Sequence, residues 1–211
     1  GPADDPAALA GDFDRLPLPF RAVATDIVTG NVVVLSRGDL ARAVRASMAM
    51  PGFVAPVELD GKLLVDGGLA DNLPIDVVRA MGAEVVIAVD ISTPLEPRAN
   101  LKDLLAITGQ TSSLLTRRNV AAQIATMTGG DLLITPDLAG IDTFTSADFE
   151  RAVERGEAAA RLALPSLRRH TVGPEEYAAF LKRQRLPRTE PRIDEVRIAP
   201  APGVDPRRMR H

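Results

Sequence analysis

Leu63-Leu64-Val65 runs straight into Asp66-Gly67-Gly68, and Asn72-Leu73-Pro74 follows four residues later. Three apolar residues make a strand end, and the aspartate comes where that strand must turn. Glycine reaches φ > 0 cheaply, so the pair Gly67-Gly68 predicts a tight left-handed turn with nothing bulky over the carboxylate. Such a turn holds one charge at the rim of a sheet. Asp-Gly is also a common turn dipeptide, and by itself the stretch reads as an ordinary turn.

The flanking chain supplies the sheet and its layers. Phe20 to Ile27 and Asn31 to Ser36 are strand candidates joined by a hairpin signal at Thr29-Gly30. Asp39 caps a predicted helix over 40–48, which Pro51-Gly52 stops. Val57 to Leu59 turns at Asp60-Gly61 and returns as Lys62 to Val65, the strand that delivers Asp66. Either Asp71 or Asn72 caps the next helix, with Pro74 in its first turn and Gly82 at its end. Glu84 to Ile91 is almost wholly apolar, as expected of a strand buried on both faces of a parallel sheet. A helical stretch from Asn100 to Met127, interrupted at Gly109, leads to a buried strand over 131–135. Ser146 caps a further helix that ends before Pro165. Strands and helices alternate as in an α/β layered domain, and the two hairpins make the sheet mixed.

The character changes after residue 170. Residues 151–211 hold 14 Lys/Arg against 8 Asp/Glu, whereas residues 1–150 hold 11 against 20. A solvated helix surface explains the basic excess more simply than phosphate binding. Pro174 to Arg185 reads as an amphipathic helix and 186–191 as a proline-marked linker. Arg192 to Ile198 alternates charged and apolar residues, as a half-exposed strand does, and Asp205-Pro206 opens a helix.

Composition removes several function classes. With no cysteine there is no disulfide, thiolate metal site or cysteine nucleophile. His170 and His211 cannot assemble a histidine metal site, and no metal or cofactor is expected. Aromatics at 3%, with no tryptophan, argue against a stacking surface for single-stranded nucleic acid. No apolar run approaches the roughly 20 residues of a membrane-spanning helix. The chain begins Gly-Pro-Ala rather than Met, so its natural start is expected upstream and the lack of a signal peptide decides nothing about location.

Three stretches taken together resemble the patatin-like phospholipases: Phe20-Arg21-Ala22-Val23-Ala24-Thr25-Asp26, then Ala46 to Phe53 (ASMAMPGF), then Val65-Asp66-Gly67-Gly68 with Asn72-Leu73-Pro74 running into Gly82 to Asp90. The resemblance covers about residues 13–165. It implies a patatin-like layered α/β sandwich with a mixed, largely parallel sheet, present here as its C-terminal half. It also implies a Ser–Asp dyad that hydrolyses acyl esters of phospholipids at a membrane surface, with Asp66 as the dyad base and Gly67 and Gly68 shaping its loop. A serine hydroxyl is a poor nucleophile until a base within hydrogen-bond reach takes its proton. The scarcity of histidine fits a carboxylate acting directly rather than through a Ser-His-Asp relay.

One part of the family pattern is missing. The nucleophile elbow Gly-x-Ser-x-Gly does not occur, and no serine here has the flanking glycines. The glycine-rich oxyanion loop is absent as well. Both lie N-terminal to the matched region in the family, so the chain is expected to hold the base without the nucleophile and to be inactive alone. The alternative is a non-catalytic patatin-derived scaffold or interaction module.

Other polar residues have plainer readings. Ser47 reads as a helix-packing residue, Asp26 as a strand-end turn residue and Asn72 as a cap. Asp90 ends a strand, but no Gly-x-Gly-x-x-Gly precedes it, so a nucleotide site is not expected. The expected organisation is a connector to a missing N-terminal half (1–12), the C-terminal part of the hydrolase domain (13–170), a helix and linker (171–190) and a final module (191–211). That last stretch, Pro191 to Ile198 with Val204-Asp205-Pro206, resembles the opening of a POTRA module. In a group of bacterial patatin-like proteins such a module joins the hydrolase to an outer-membrane β-barrel, which would imply a secreted or outer-membrane parent; without it a cytoplasmic one is expected.

Overall fold

The structure is a computed structural model and describes residues 11–92, 95–141 and 145–184. The sequence-predicted hairpins form as expected. Strands β1 (Ala22–Asp26) and β2 (Val32–Leu35) pair antiparallel. Their turn closes where the Gly30 N–H donates to the Asp26 carbonyl at 2.7 Å, with Gly30 at φ 75°. Strands β3 (Val57–Leu59) and β4 (Lys62–Asp66) turn on Asp60 and Gly61 at φ 51° and 72°, the left-handed pair that a two-residue hairpin requires. The four strands form one sheet in the order β2-β1-β4-β3. Helix α1 (Leu40–Ser47) covers it, capped by the Asp39 carboxylate accepting from the Arg42 N–H at 3.0 Å.

Small residues allow this layer to close tightly. Ala22 and Ala24 on β1 meet Ala43 and Ala46 on α1, and all four are buried. Leu64 of β4 is fully buried in the same cluster, a burial worth about 1.5–3 kcal/mol. β1 is inaccessible along its whole length, as befits the strand flanked on both sides.

A second layer follows: α2 (Ile75–Ala80), β5 (Ile87–Val89), α3 (Leu104–Ile124), β6 (Leu132–Ile134), α4 (Ser146–Leu167) and α5 (Pro174–Gln184). β5 and β6 pair in parallel, joined by a crossover through α3. Leu73, Ile75, Val86, Ala88 and Val120 form its core. Arg79 of α2 joins the layer's ends by pairing with Asp131, just before β6, and by donating to the carbonyls of Ala83 and Glu84. The mixed α/β class therefore stands. Among the described residues, however, only the β5–β6 pairing is parallel: β1–β2 and β3–β4 are hairpins, and β1 pairs antiparallel with β4 across the sheet.

Several local expectations are corrected. Neither Asp71 nor Asn72 caps α2. Its N-cap is Pro74, without a side-chain bond; residues 67–69 coil into a 3-10 turn ahead of it, and Asn119 of α3 takes the Asn72 N–H. Gly109 does not interrupt α3, which Asp103 caps through the Ala106 N–H. Thr145, not Ser146, is the N-cap of α4, and that helix takes Pro165 into its last turn. β5 is shorter than expected and buried on one face only: Ala88 is 6% exposed, Ile87 and Val89 nearly half. Its inward face packs on α2 and α3, and nothing among the described residues covers the other. The predicted half-exposed strand over 192–198 and the helix start at 205–206 lie outside the described residues.

Candidate active site

Asp66 ends β4 in register with Ala24, and its N–H donates to the Ala49 carbonyl at 3.0 Å. The hydroxyl of Thr25 holds the Asp66 carbonyl at 2.9 Å. With the backbone fixed on both sides, the carboxylate leaves the strand at one angle. Its Oδ1 accepts the Gly68 N–H at 2.7 Å, the sole hydrogen bond to this carboxylate among the described residues. Burial raises the Asp66 pKa above its ordinary value, and the Gly68 N–H partly offsets the rise. The result is a half-desolvated carboxylate with accepting capacity left over.

The glycines are required for a reason other than the expected one. Neither Gly67 nor Gly68 has positive φ. A Cβ on Gly67 would collide with the backbone carbonyl of Val23, and a Cβ on Gly68 would lie 2.7 Å from Asn72 Oδ1 and 3.0 Å from Asp66 Oδ1. Gly67 lies too close to the β1 backbone for any side chain, and Gly68 is crowded by side-chain oxygens that would have to shift.

Helix α3 braces the far side of the turn. Thr116 Oγ1 and Asn119 Nδ2 both donate to the Gly68 carbonyl, each at 2.9 Å. Asn119 Oδ1 accepts the Asn72 N–H at 3.0 Å. One turn further, Gln123 accepts the Asp76 N–H at 3.2 Å and donates to Asp71 Oδ2 at 3.3 Å. Asp71 is itself buried, and its pKa is raised to about 6, first by that burial and then by the neighbouring Asp76. Sequence reading missed Thr25, Asp71 as a buried acid, Thr116, Asn119 and Gln123. The available signal for the last three was polar residues three and four apart in a helix that also carries the core residue Val120.

The turn forms one wall of an open cleft of about 410 Å³. Asp66, Gly67, Gly68, Asp71, Asn72 and Pro74 share its lining with Phe20 to Val23, Val44, Ser47 and Met48. Ser47 shares the cleft but makes no hydrogen bond to Asp66 among the described residues. Arg21, the cation of this lining, is paired with Asp14 at 2.7 Å. Asp26 is a turn residue here, accepting from the Val28 N–H at 3.1 Å and the Thr29 hydroxyl at 2.9 Å. Asp90 accepts from the Ser92 N–H at 2.9 Å, and Arg169 Nε donates to His170 Nε2 at 3.0 Å. Among the described residues no three His, Cys, Asp or Glu side chains could hold a metal ion, and no helix is long and apolar enough to cross a membrane.

Fold and site together define a mixed α/β protein that presents a half-buried carboxylate on a strand-end turn. Residues 8–79 match the family model for patatin-like phospholipase. Two uncharacterised NTE family proteins of Mycobacterium tuberculosis are similar to this chain. One is 47% identical over 80 residues, covering 38% of this chain and 22% of the relative. The other is 33% identical over 173 residues, covering 72% and 30%. Patatin-like phospholipase domain-containing protein 7 of Mus musculus is 49% identical over 83 residues, covering 38% of this chain and 6% of the relative. The chain belongs to the patatin-like phospholipase family through this segment, and it spans less than a third of the length of these relatives.

Proposed function

We propose that this chain carries the base half of a Ser–Asp acyl hydrolase acting on phospholipid acyl esters, with Asp66 as the base. The observation that carries the reading is the Asp66 carboxylate itself. It sits on a braced turn at a cleft, its pKa is raised by burial, and it accepts a single hydrogen bond among the described residues. A base of this kind is partly relieved of water and so takes a proton more readily than a free carboxylate.

In the reaction, Asp66 takes the proton of a serine hydroxyl as that oxygen attacks the ester carbonyl carbon. Collapse of the tetrahedral intermediate breaks the bond to the alcohol, which leaves with the proton returned from Asp66. A water molecule then attacks the acyl-serine, giving its proton to Asp66, and the carboxylic acid departs as serine recovers the proton. Gly67 and Gly68 let the carboxylate come close without a side chain in the way. The serine and the oxyanion donors are supplied by chain outside residues 1–211, against the open side of the cleft. Residues 13–170 are the part of the hydrolase domain present, and the downstream POTRA-like module and β-barrel belong to the same proposal as an outer-membrane arrangement.

The test is hydrolysis of phospholipid vesicles by the protein expressed from its longest open reading frame. Asp66→Asn is expected to lower kcat/KM by about 10³-fold or more. Residues 1–211 alone are expected to give no turnover. Turnover unaffected by Asp66→Asn removes Asp66 as the base, and no turnover in any form favours the scaffold reading instead.

A further inference from the structure

We propose that Asn119 is a positioning residue for the Asp66 carboxylate, acting through Gly68 with Thr116 beside it. The inference rests on reading Asp66 as the base, and it assigns the control of that base to a helix some fifty residues downstream.

Gly68 is held at both ends. Its N–H donates to Asp66 Oδ1, and its carbonyl accepts from two α3 side chains. A glycine has no side chain to restrict its own φ and ψ, so it keeps a chosen conformation only under outside restraint. Here the Asn72 and Asp66 side-chain oxygens crowd the place a Cβ would take, and the glycine's restraint must come from elsewhere. Asn119 provides it with one amide group: Nδ2 holds the Gly68 carbonyl and Oδ1 holds the Asn72 N–H, so both ends of the 68–72 turn are tied to one rigid plane. The helix cannot drift, because Val120, the next residue, is buried among Leu73, Ile75 and Val86. Thr116 lies one turn back on the same face and doubles the bond at Gly68. A carbonyl merely needing a partner would be satisfied by one donor. Two donors, plus a reciprocal bond to Asn72, set an orientation.

The consequence falls on Asp66. The Gly68 N–H is the bond that opposes the burial-driven rise of its pKa. Loosening Gly68 weakens that bond and leaves burial unopposed.

The experiment is a carbon-13 carboxyl titration of Asp66 in residues 1–211, with amide hydrogen exchange at Gly68 and Asn72. Wild type, Asn119→Ala, Thr116→Val and, as a control for stability alone, Ile134→Val in the buried part of β6 are compared. Asn119→Ala is expected to move the Asp66 midpoint upward and to speed exchange at both amides about fivefold or more. Thr116→Val, which removes only one hydroxyl, moves the midpoint in the same direction by less and serves if Asn119→Ala does not fold. Ile134→Val lowers stability and leaves the midpoint in place. An unmoved midpoint in the folded variants, or an equal shift in Ile134→Val, overturns the proposal. The titration needs no turnover, so it is separable from the catalytic reading. A midpoint that responds while Asp66→Asn stays active removes the base and keeps the tie. An inert midpoint beside an inactive Asp66→Asn removes the tie alone.

Discussion

The backbone N–H of Gly68 donates to Oδ1 of Asp66 at 2.7 Å, so the glycine packed closest to the carboxylate is also the one that solvates it. Shape and charge are therefore set by the same atoms. The two glycines nevertheless respond differently to substitution.

Gly67→Ala drives a methyl group into the Val23 carbonyl, which belongs to the buried central strand and cannot retreat. Gly68→Ala meets side-chain oxygens of Asn72 and Asp66, which can rotate. Urea unfolding is expected to place Gly67→Ala more than about 2 kcal/mol below wild type, with Gly68→Ala costing less than half of that. The reverse order would contradict the close-approach account of Gly67.

Asp131 is expected to contribute to acid stability. Its carboxylate accepts from the N–H groups of Thr128 and Val86 and pairs with Arg79, and these contacts hold its pKa well below the ordinary 3.8. The folded pKa is depressed, so the contribution is complete above the unfolded value and disappears as pH falls below about 4. Asp131→Ala is expected to lower Tm at pH 7 and to flatten the loss of Tm on going to pH 3. An acid limb as steep as that of wild type would contradict it.

Asp71 works in the opposite direction. Its folded pKa is raised from 3.8 to about 6, so the folded state binds the extra proton between those values and stability declines as pH rises through that window. Asp71→Asn removes the charge and keeps an oxygen for the Gln123 amide. The urea midpoint of Asp71→Asn relative to wild type is expected to be higher at pH 7.5 than at pH 4.5. A constant difference would show that Asp71 does not titrate in that range.

Both hairpins, the capped helix α1 and the strand leading to Asp66 were legible because each rests on local chemistry: Asn31 to Ser36 alternates little but follows Thr29-Gly30, and Asp60-Gly61 admits hardly any other turn. What was not legible depends on distance. The 3-10 turn at 67–69 forms because α3 and β1 press on it from two sides, and that pressure displaced the expected caps at Asp71 and Asn72. Thr116, Asn119 and Gln123 look like an ordinary polar helix face until the fold brings them onto a turn some fifty residues earlier. The half-exposed face of β5 escaped for the converse reason: an apolar run declares burial without saying what buries it.

Ser47 separates two versions of the site. It lies in the Asp66 cleft at the end of α1, without a hydrogen bond to the carboxylate. Ser47→Ala is expected to change vesicle hydrolysis by less than about twofold. A loss as deep as that of Asp66→Asn would make Ser47 the nucleophile and place the whole dyad in this chain.

The most direct test of Asp66 as the base is the pH profile of kcat/KM for phospholipid vesicles, measured on the protein from its longest open reading frame with and without Asp66→Asn. Because burial raises the Asp66 pKa, activity is expected to fall on the acid side through a midpoint above the ordinary 3.8, and Asp66→Asn is expected to remove at least about 10³-fold of the rate across the profile. An Asp66→Asn protein that keeps wild-type turnover and the same acid limb would contradict the account.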